Sequence, residues 1–301
     1  MLKVKIKDIE FKNPILTAAG TFGKGYELID SFDLSKLGGI IPKTITLQKR
    51  IGNPFPRLAE VPCGLLNSIG LENGGIGDFL KNIYPKLKNL QTRIIASVSG
   101  ETCEEYIELV RVLHENTDID VFEINLSCPN IERGGEEFSQ NPDTLFGLLS
   151  ELRSITDRML WAKLPPDVYG ILEKVNIAKS SGIDAVVICN TYKATYVDIE
   201  KMAYALGREH GGLSGPAILP ITLYIVKEVK QNFPDFPVVA SGGVFSAEDV
   251  IRYLLVGADL VEIGTMNFIK PKDVFKIPEK IEEYLVKKGK TLSDIRGYLL
   301  L

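Results

Sequence analysis

Along this chain, short runs of β-branched and apolar residues alternate with longer stretches in which apolar positions recur at helical spacing. The runs ILTAA (15–19), GIIPKTIT (39–46), RIIASVS (93–99), VFEINLS (121–127), LWAKLP (160–165), AVVICN (185–190), PVVASG (237–242) and LVEIG (260–264) read as eight strands. Most are apolar on both faces, as expected where helices cover one side and a packed interior the other. Between them ETCEEYIELVRVLHEN (101–116), NPDTLFGLLSELRSIT (141–156) and SAEDVIRYLLVGA (246–258) read as helices, the last with Ser246 placed as a cap and Asp249 three residues on. Eight such units predict an α/β fold, a (β/α)8 TIM barrel whose active site lies at the carboxyl ends of the strands. The opening MLKVKIKDIEFKN alternates apolar and charged residues, which predicts a β-hairpin over 3–12 that plugs or skirts the opposite face. Nothing divides the chain, so 1–301 reads as a single domain.

Three connections exceed ordinary loops. Residues 47–75 follow strand 2, the glycine-rich SCPNIERGGEEF (127–138) follows strand 4, and residues 191–215 follow strand 6. All three fall on the predicted catalytic face.

Composition narrows the chemistry. Hydrophobic residues make up 45% of the 301 positions and charged residues 25%, the balance of a soluble protein with a large core. Lys and Arg number 35 against 39 Asp and Glu, so no broad cationic field exists to hold nucleic acid by its phosphates. No run approaches a membrane span, and no secretory signal opens the sequence, so a cytoplasmic location is expected. The four cysteines, Cys63, Cys103, Cys128 and Cys189, form no C-x-x-C pair, so no zinc or iron–sulfur site is expected on this chain. With His114 and His210 as the only histidines, a Ser–His–Asp triad is poorly supported.

Gly242 and Gly243 follow one strand, and Gly264 and Thr265 follow the next. Glycines there let backbone N–H groups approach an anion, the arrangement of a barrel phosphate site after strands 7 and 8; tight strand-to-helix turns are the plainer reading of either pair alone. At the same rim stand Lys43, Asn125, Cys128, Lys163, Asn190 and Thr191. Lys43 and Lys163 lie in otherwise apolar strands and need anionic partners, either a ligand or a structural carboxylate.

In order along nearly the whole chain, NPILTAAGTFG (13–23), IPKTIT (41–46), GNPFPRLAE (52–60), LNSIGLEN (66–73), EINLSCPN (123–130), AKL (162–164), CNT (189–191), GGLSGPA (211–217), SGG (241–243) and IGT (263–265) resemble class 1 dihydroorotate dehydrogenases, most closely the class 1B catalytic subunits. NSIGL, SCPN and GGLSGPA carry the specificity, whereas the terminal glycine pairs recur across phosphate-binding barrels. The resemblance implies oxidation of dihydroorotate to orotate in pyrimidine biosynthesis, with Cys128 as the base at C5 and N5 of FMN accepting the C6 hydride. It places Lys43, Asn67, Ser68, Ile69, Gly70, Leu71, Asn125, Asn190 and Thr191 around the substrate. FMN would lie against Ala19, Lys43, Thr44, Ser97, Asn125, Lys163, Cys189 and Gly215, with its phosphate on Gly242, Gly243, Gly264 and Thr265.

It also implies a homodimer joined, as a heterotetramer, to an electron-transfer subunit that carries FAD and a 2Fe–2S cluster and reduces NAD. Ala19 stands where the family usually has serine, Ser97 where it has asparagine, Cys189 where it has an aliphatic residue and Gly74 where it has proline. On an isolated cysteine an inert buried thiol is the ordinary reading, and Cys189, inside AVVICN, is read as wall packing. Cys128 instead stands at a strand end beside Asn125, on a segment expected to close over the substrate. Competing readings are a fumarate-linked class 1A enzyme, another FMN barrel such as a tRNA dihydrouridine synthase, and a non-catalytic phosphate-binding barrel; the acidic charge balance opposes the second, and the polar rim opposes the third.

Overall fold

The computed structural model describes residues 2–127 and 136–300. Eight parallel strands close into a barrel: β1 (Ile15–Thr17), β2 (Gly39–Ile40), β3 (Arg93–Val98), β4 (Val121–Asn125), β5 (Met159–Leu164), β6 (Ala185–Ile188), β7 (Val238–Ser241) and β8 (Leu260–Ile263). They follow one another around the ring in chain order, and β8 returns to β1 with Val261 opposite Ile15. The (β/α)8 barrel expected from the apolar runs is the fold of the chain. Every residue of β4 and β5 is buried, which is why those runs lack polar alternation. Strand β2 is shorter than its apolar run because Pro42 offers no backbone N–H; pairing resumes as the single bridge Ile45–Val98.

Helices α1 (Cys103–Asn116), α2 (Pro142–Ile155), α3 (Ile171–Ser180), α4 (Leu219–Asn232), α5 (Ala247–Leu255) and α6 (Ile277–Lys288) bury their apolar faces against the barrel. Thr102, Asn141 and Ser246 cap α1, α2 and α5 by accepting from Glu105 N, Thr144 N and Asp249 N. At α5, Asp249 Oδ2 in turn accepts from Phe245 N at 3.0 Å, fixing the turn that carries Gly242 and Gly243 into the helix.

At the amino end of the barrel, strands Val4–Ile6 and Ile9–Phe11 form the expected hairpin, with Val4 opposite Phe11. Phe11 is fully buried against Trp161 at a ring separation of 5.9 Å, and Lys7 pairs with Asp184 just before β6. The hairpin therefore plugs the end remote from the catalytic face.

At the carboxyl end, the insertions after β2 and β6 join in one antiparallel sheet, ordered Tyr192–Ala194, Gly211–Ser214, Gly64–Asn67 and Leu58–Val61. Leu213 lies opposite both Tyr192 and Leu66, so the central strand ties the two insertions together. The insertion after β4 contains a helix over Glu136–Gln140. Residues 128–135, including Cys128 and most of the segment expected to close over the site, lie outside the described residues. No helix among the described residues is long and apolar enough to cross a membrane.

Candidate active site

The carboxyl ends of the strands and the sheet above them enclose a cavity of about 370 Å³. At one end it is lined by Gly242, Gly243, Gly264 and Thr265, where β7 and β8 pass into their following turns. Lys43, Asn67, Ile69, Gly70, Leu71, Asn125, Asn190 and Thr191 line it elsewhere, together with Ala19, Thr44, Lys163, Cys189 and Gly215. Residues from seven of the eight strand ends, all but β3, and from both insertions thus meet in one concavity, the usual form of a small-molecule site.

Two residues expected at the site stand behind its wall. Ser97 is buried, its hydroxyl 3.1 Å from that of Thr44, so it supports a lining residue instead of lining the cavity itself. Ser68 alternates away from the cavity between Asn67 and Ile69, and its hydroxyl accepts from Asn53 Nδ2 at 3.0 Å.

The amides are held by a shared network. Asn190 Nδ2 donates to Ser127 Oγ at 2.9 Å and, at a longer 3.4 Å, to Asn125 Oδ1, while Asn190 Oδ1 accepts from Thr191 N at 2.7 Å. Ser127 Oγ donates to Asn125 Oδ1 at 3.1 Å, and the backbone carbonyl of Asn125 accepts from Tyr106 at 2.7 Å. Asn67 Nδ2 donates across the upper sheet to Gly212 O at 3.1 Å. These bonds fix which amide atoms face the cavity, so the donors and acceptors there are preorganised. The loop that presents Ile69 to Leu71 turns through left-handed backbone at Gly70 (φ 71°) and at Leu71 (φ 56°). For leucine that conformation is strained, and strain of this kind collects where a site needs a set geometry.

Lys163 forms the cavity floor with its side chain buried. Its Nζ donates to Glu262 Oε2 at 2.6 Å and to Glu123 Oε2 at 3.3 Å. Burial opposes its charge, but the two carboxylates outweigh that and hold its pKa above the ordinary lysine range. The carboxylate partner that an interior lysine requires is therefore present, twice over. Cys189 is the opposite case: burial pushes its thiol up to about 11, with Tyr192 and Thr222 as weak hydroxyl neighbours at 3.8 and 3.9 Å. It is wall packing, not a nucleophile.

Sequence reasoning passed over Glu123 and Glu262, although a charged residue in the middle of an otherwise apolar strand was a signal equal to that of Lys163. It also passed over Ser214, which accepts from Thr265 Oγ1 at 2.7 Å and so links the upper sheet to the glycine-lined end.

Fold and site together define a (β/α)8 barrel with a ligand cavity at its carboxyl end, its few polar groups held in place by hydrogen bonds. Comparison with known proteins narrows the class: the family described as Dihydroorotate dehydrogenase matches residues 1–285, and this chain belongs to that family. It is 42% identical over 298 residues to the Dihydroorotate dehydrogenase B (NAD(+)), catalytic subunit, of Petrotoga mobilis, covering 99% of each chain. The protein of the same description from Bacteroides fragilis is 39% identical over 299 residues, covering 99% of this chain and 98% of its own. A Putative dihydroorotate dehydrogenase A (fumarate) of Aquifex aeolicus is 40% identical over 296 residues, covering 98% and 96%.

Proposed function

We propose that this protein oxidises dihydroorotate to orotate in pyrimidine biosynthesis, with FMN seated in the cavity and the substrate ring beside it. The observation that carries this reading is the meeting, in one cavity, of Lys43, Asn67, Asn125, Asn190 and Thr191 with two glycine-bearing strand ends. The residues present fit FMN. A side chain at Gly264 would meet only Ala18 Cβ and Thr21 Cγ2, at ordinary contacts of 3.7 and 3.8 Å, and its backbone is not left-handed. Protein packing thus does not require glycine there, whereas a phosphate pressed against the backbone does. Bound FMN supplies the hydride acceptor.

The chain's own groups supply the rest. The Lys43 ammonium suits the substrate carboxylate, and the amides of Asn67, Asn125 and Asn190 suit the ring carbonyls and the charge that develops on the C4 oxygen as the C5 proton leaves. Cys128, which follows directly on the Asn125–Ser127 network, is the proposed base at C5. A thiol of ordinary pKa, about 8.5, is mostly protonated at neutral pH, so activity should rise as the pH moves into mild alkali. Resemblance to catalytic subunits described with NAD(+) supports delivery of electrons to NAD through a cytoplasmic partner subunit carrying FAD and a 2Fe–2S cluster, in a heterotetramer built on a homodimer. The relative described with fumarate supports the alternative of direct fumarate reduction.

Anaerobic mixing tests the reading. Purified protein should show flavin absorbance that bleaches on addition of dihydroorotate and returns with fumarate or, with the partner subunit, with NAD. Cys128→Ala should retain FMN yet bleach at least ~100-fold more slowly, the lower bound for loss of a general base. Flavin that stays oxidised under excess dihydroorotate in the unaltered protein would exclude the assignment.

A further inference from the structure

β4 and β8 stand on opposite sides of the eight-stranded ring, yet their mid-strand glutamates, Glu123 and Glu262, reach the same Lys163 ammonium from β5. Both carboxylates are fully buried, and the lysine nearly so. Two carboxylates against one ammonium leave a net negative charge in the barrel interior if all three ionise. A buried uncompensated charge is strongly unfavourable, and a bound proton removes it. The hydrogen bonding points the same way. Each glutamate gives one oxygen to the lysine, while Glu123 Oε1 and Glu262 Oε1 are buried with no partner among the described residues. Two carboxyl groups that meet at one ammonium are close enough for each to feel the charge of the other, the condition under which one proton is retained by the pair. In keeping with this, burial first and then the neighbouring Glu123 charge push Glu262 well above the ordinary carboxylate range. The other titratable group acting there is the Cys189 thiol, which stays neutral.

We propose that Glu123 and Glu262 share a single proton, and that the pair so formed is a neutralising, positioning counter-ion that holds Lys163 as the cationic floor of the cavity without adding net charge beneath the ligand. Neither glutamate lines the cavity; both act through Lys163. The consequence for function rests on the proposed flavin site: with the set neutral, the floor offers FMN a directed donor without a net field, which sets how readily the flavin accepts electrons.

Infrared spectroscopy of the full-length protein as purified, with isotope-labelled glutamate to identify the band, reads the proton directly. At neutral pH the unaltered protein should show the carbonyl stretch of one buried protonated glutamic acid. Glu123→Gln and Glu262→Gln should each abolish it, because the remaining carboxylate alone balances Lys163. Lys163→Met should double it, because with the cation gone both glutamates take up protons. In the same two glutamine variants the midpoint potential of bound FMN should match that of the unaltered protein, since the net charge of the set is unchanged. If both glutamates are ionised instead, the band is absent and each glutamine variant raises the potential; either result overturns the proposal. The infrared result needs no substrate, so a failure here is distinct from a failure of the dihydroorotate assignment.

Discussion

Gly243 and Gly264 lie at consecutive strand ends and line one cavity, yet different forces keep them glycine. Gly243 has a left-handed backbone (φ 72°), and a Cβ there would come within 2.6 Å of the Leu219 backbone, so the fold itself demands glycine. Gly264 is free of both constraints, and only a ligand against its backbone gives a reason to exclude a side chain. Gly264→Ala should therefore keep the thermal midpoint of the unaltered protein while weakening FMN binding about tenfold or more, ~1.4 kcal/mol. Gly243→Ala should instead lower stability by ~1 kcal/mol or more, since alanine is strained at positive φ. Measuring melting and flavin titration side by side separates the two, and unchanged FMN affinity in Gly264→Ala would remove the argument for a phosphate at that end. The same residue-by-residue logic explains why Lys163 stood out in the sequence while its partners did not. A lone lysine in an apolar strand poses an obvious electrostatic problem, but that two glutamates from opposite walls solve it becomes visible only when the barrel closes.

At the scale of elements, the unexpected structure is the sheet over the barrel mouth. Its strands are only three or four residues long, the two central ones begin with glycine, and their pairing joins Asn67 to Gly212 across 145 positions. The eight barrel strands were legible because each is an apolar run of defined length; this sheet was not, because nothing in GGLS or GLLN marks a strand until the closed barrel brings the insertions after β2 and β6 together. The site was legible in the same uneven way: Lys43, Asn125, Asn190 and the glycine pairs could be placed from their positions at strand ends, whereas Ser97 was placed one layer too far in. Gly212 tests what the sheet does. A Cβ there would fall 2.0 Å from Thr191 Oγ1 and 3.3 Å from Asn67 Nδ2, two cavity-lining side chains held by this strand. Gly212→Ala should displace both, weakening orotate binding about tenfold in a flavin spectral titration. Melting should change little, because the barrel beneath is untouched. Unaltered orotate affinity would mean that the sheet is only a cover.

For the molecule as a whole, the two ends of the barrel divide the work between ligand and stability. The carboxyl end spends buried polar groups and left-handed backbone on a cavity. The amino end is closed by the hairpin, whose Leu2, Val4, Ile6 and Phe11 are buried, with Lys7 and Arg153 both paired to the buried Asp184. Phe11 is the centre of that closure, packed on Trp161, the single tryptophan of the chain. Truncating such an aromatic leaves a cavity in a region that cannot collapse, because strands surround it on every side. Phe11→Ala should therefore cost about 3–5 kcal/mol, a fall in melting temperature of roughly 10 °C. Trp161 sits against the deleted ring, so its fluorescence reports the same transition that circular dichroism follows, and the two should coincide if the barrel unfolds as one unit. Below that transition the variant should bind FMN and orotate as the unaltered protein does, because the plug and the cavity lie at opposite ends of the strands. Loss of binding in the folded variant would show instead that packing at the amino end is transmitted along β5, through Trp161 and Lys163, to the floor of the site.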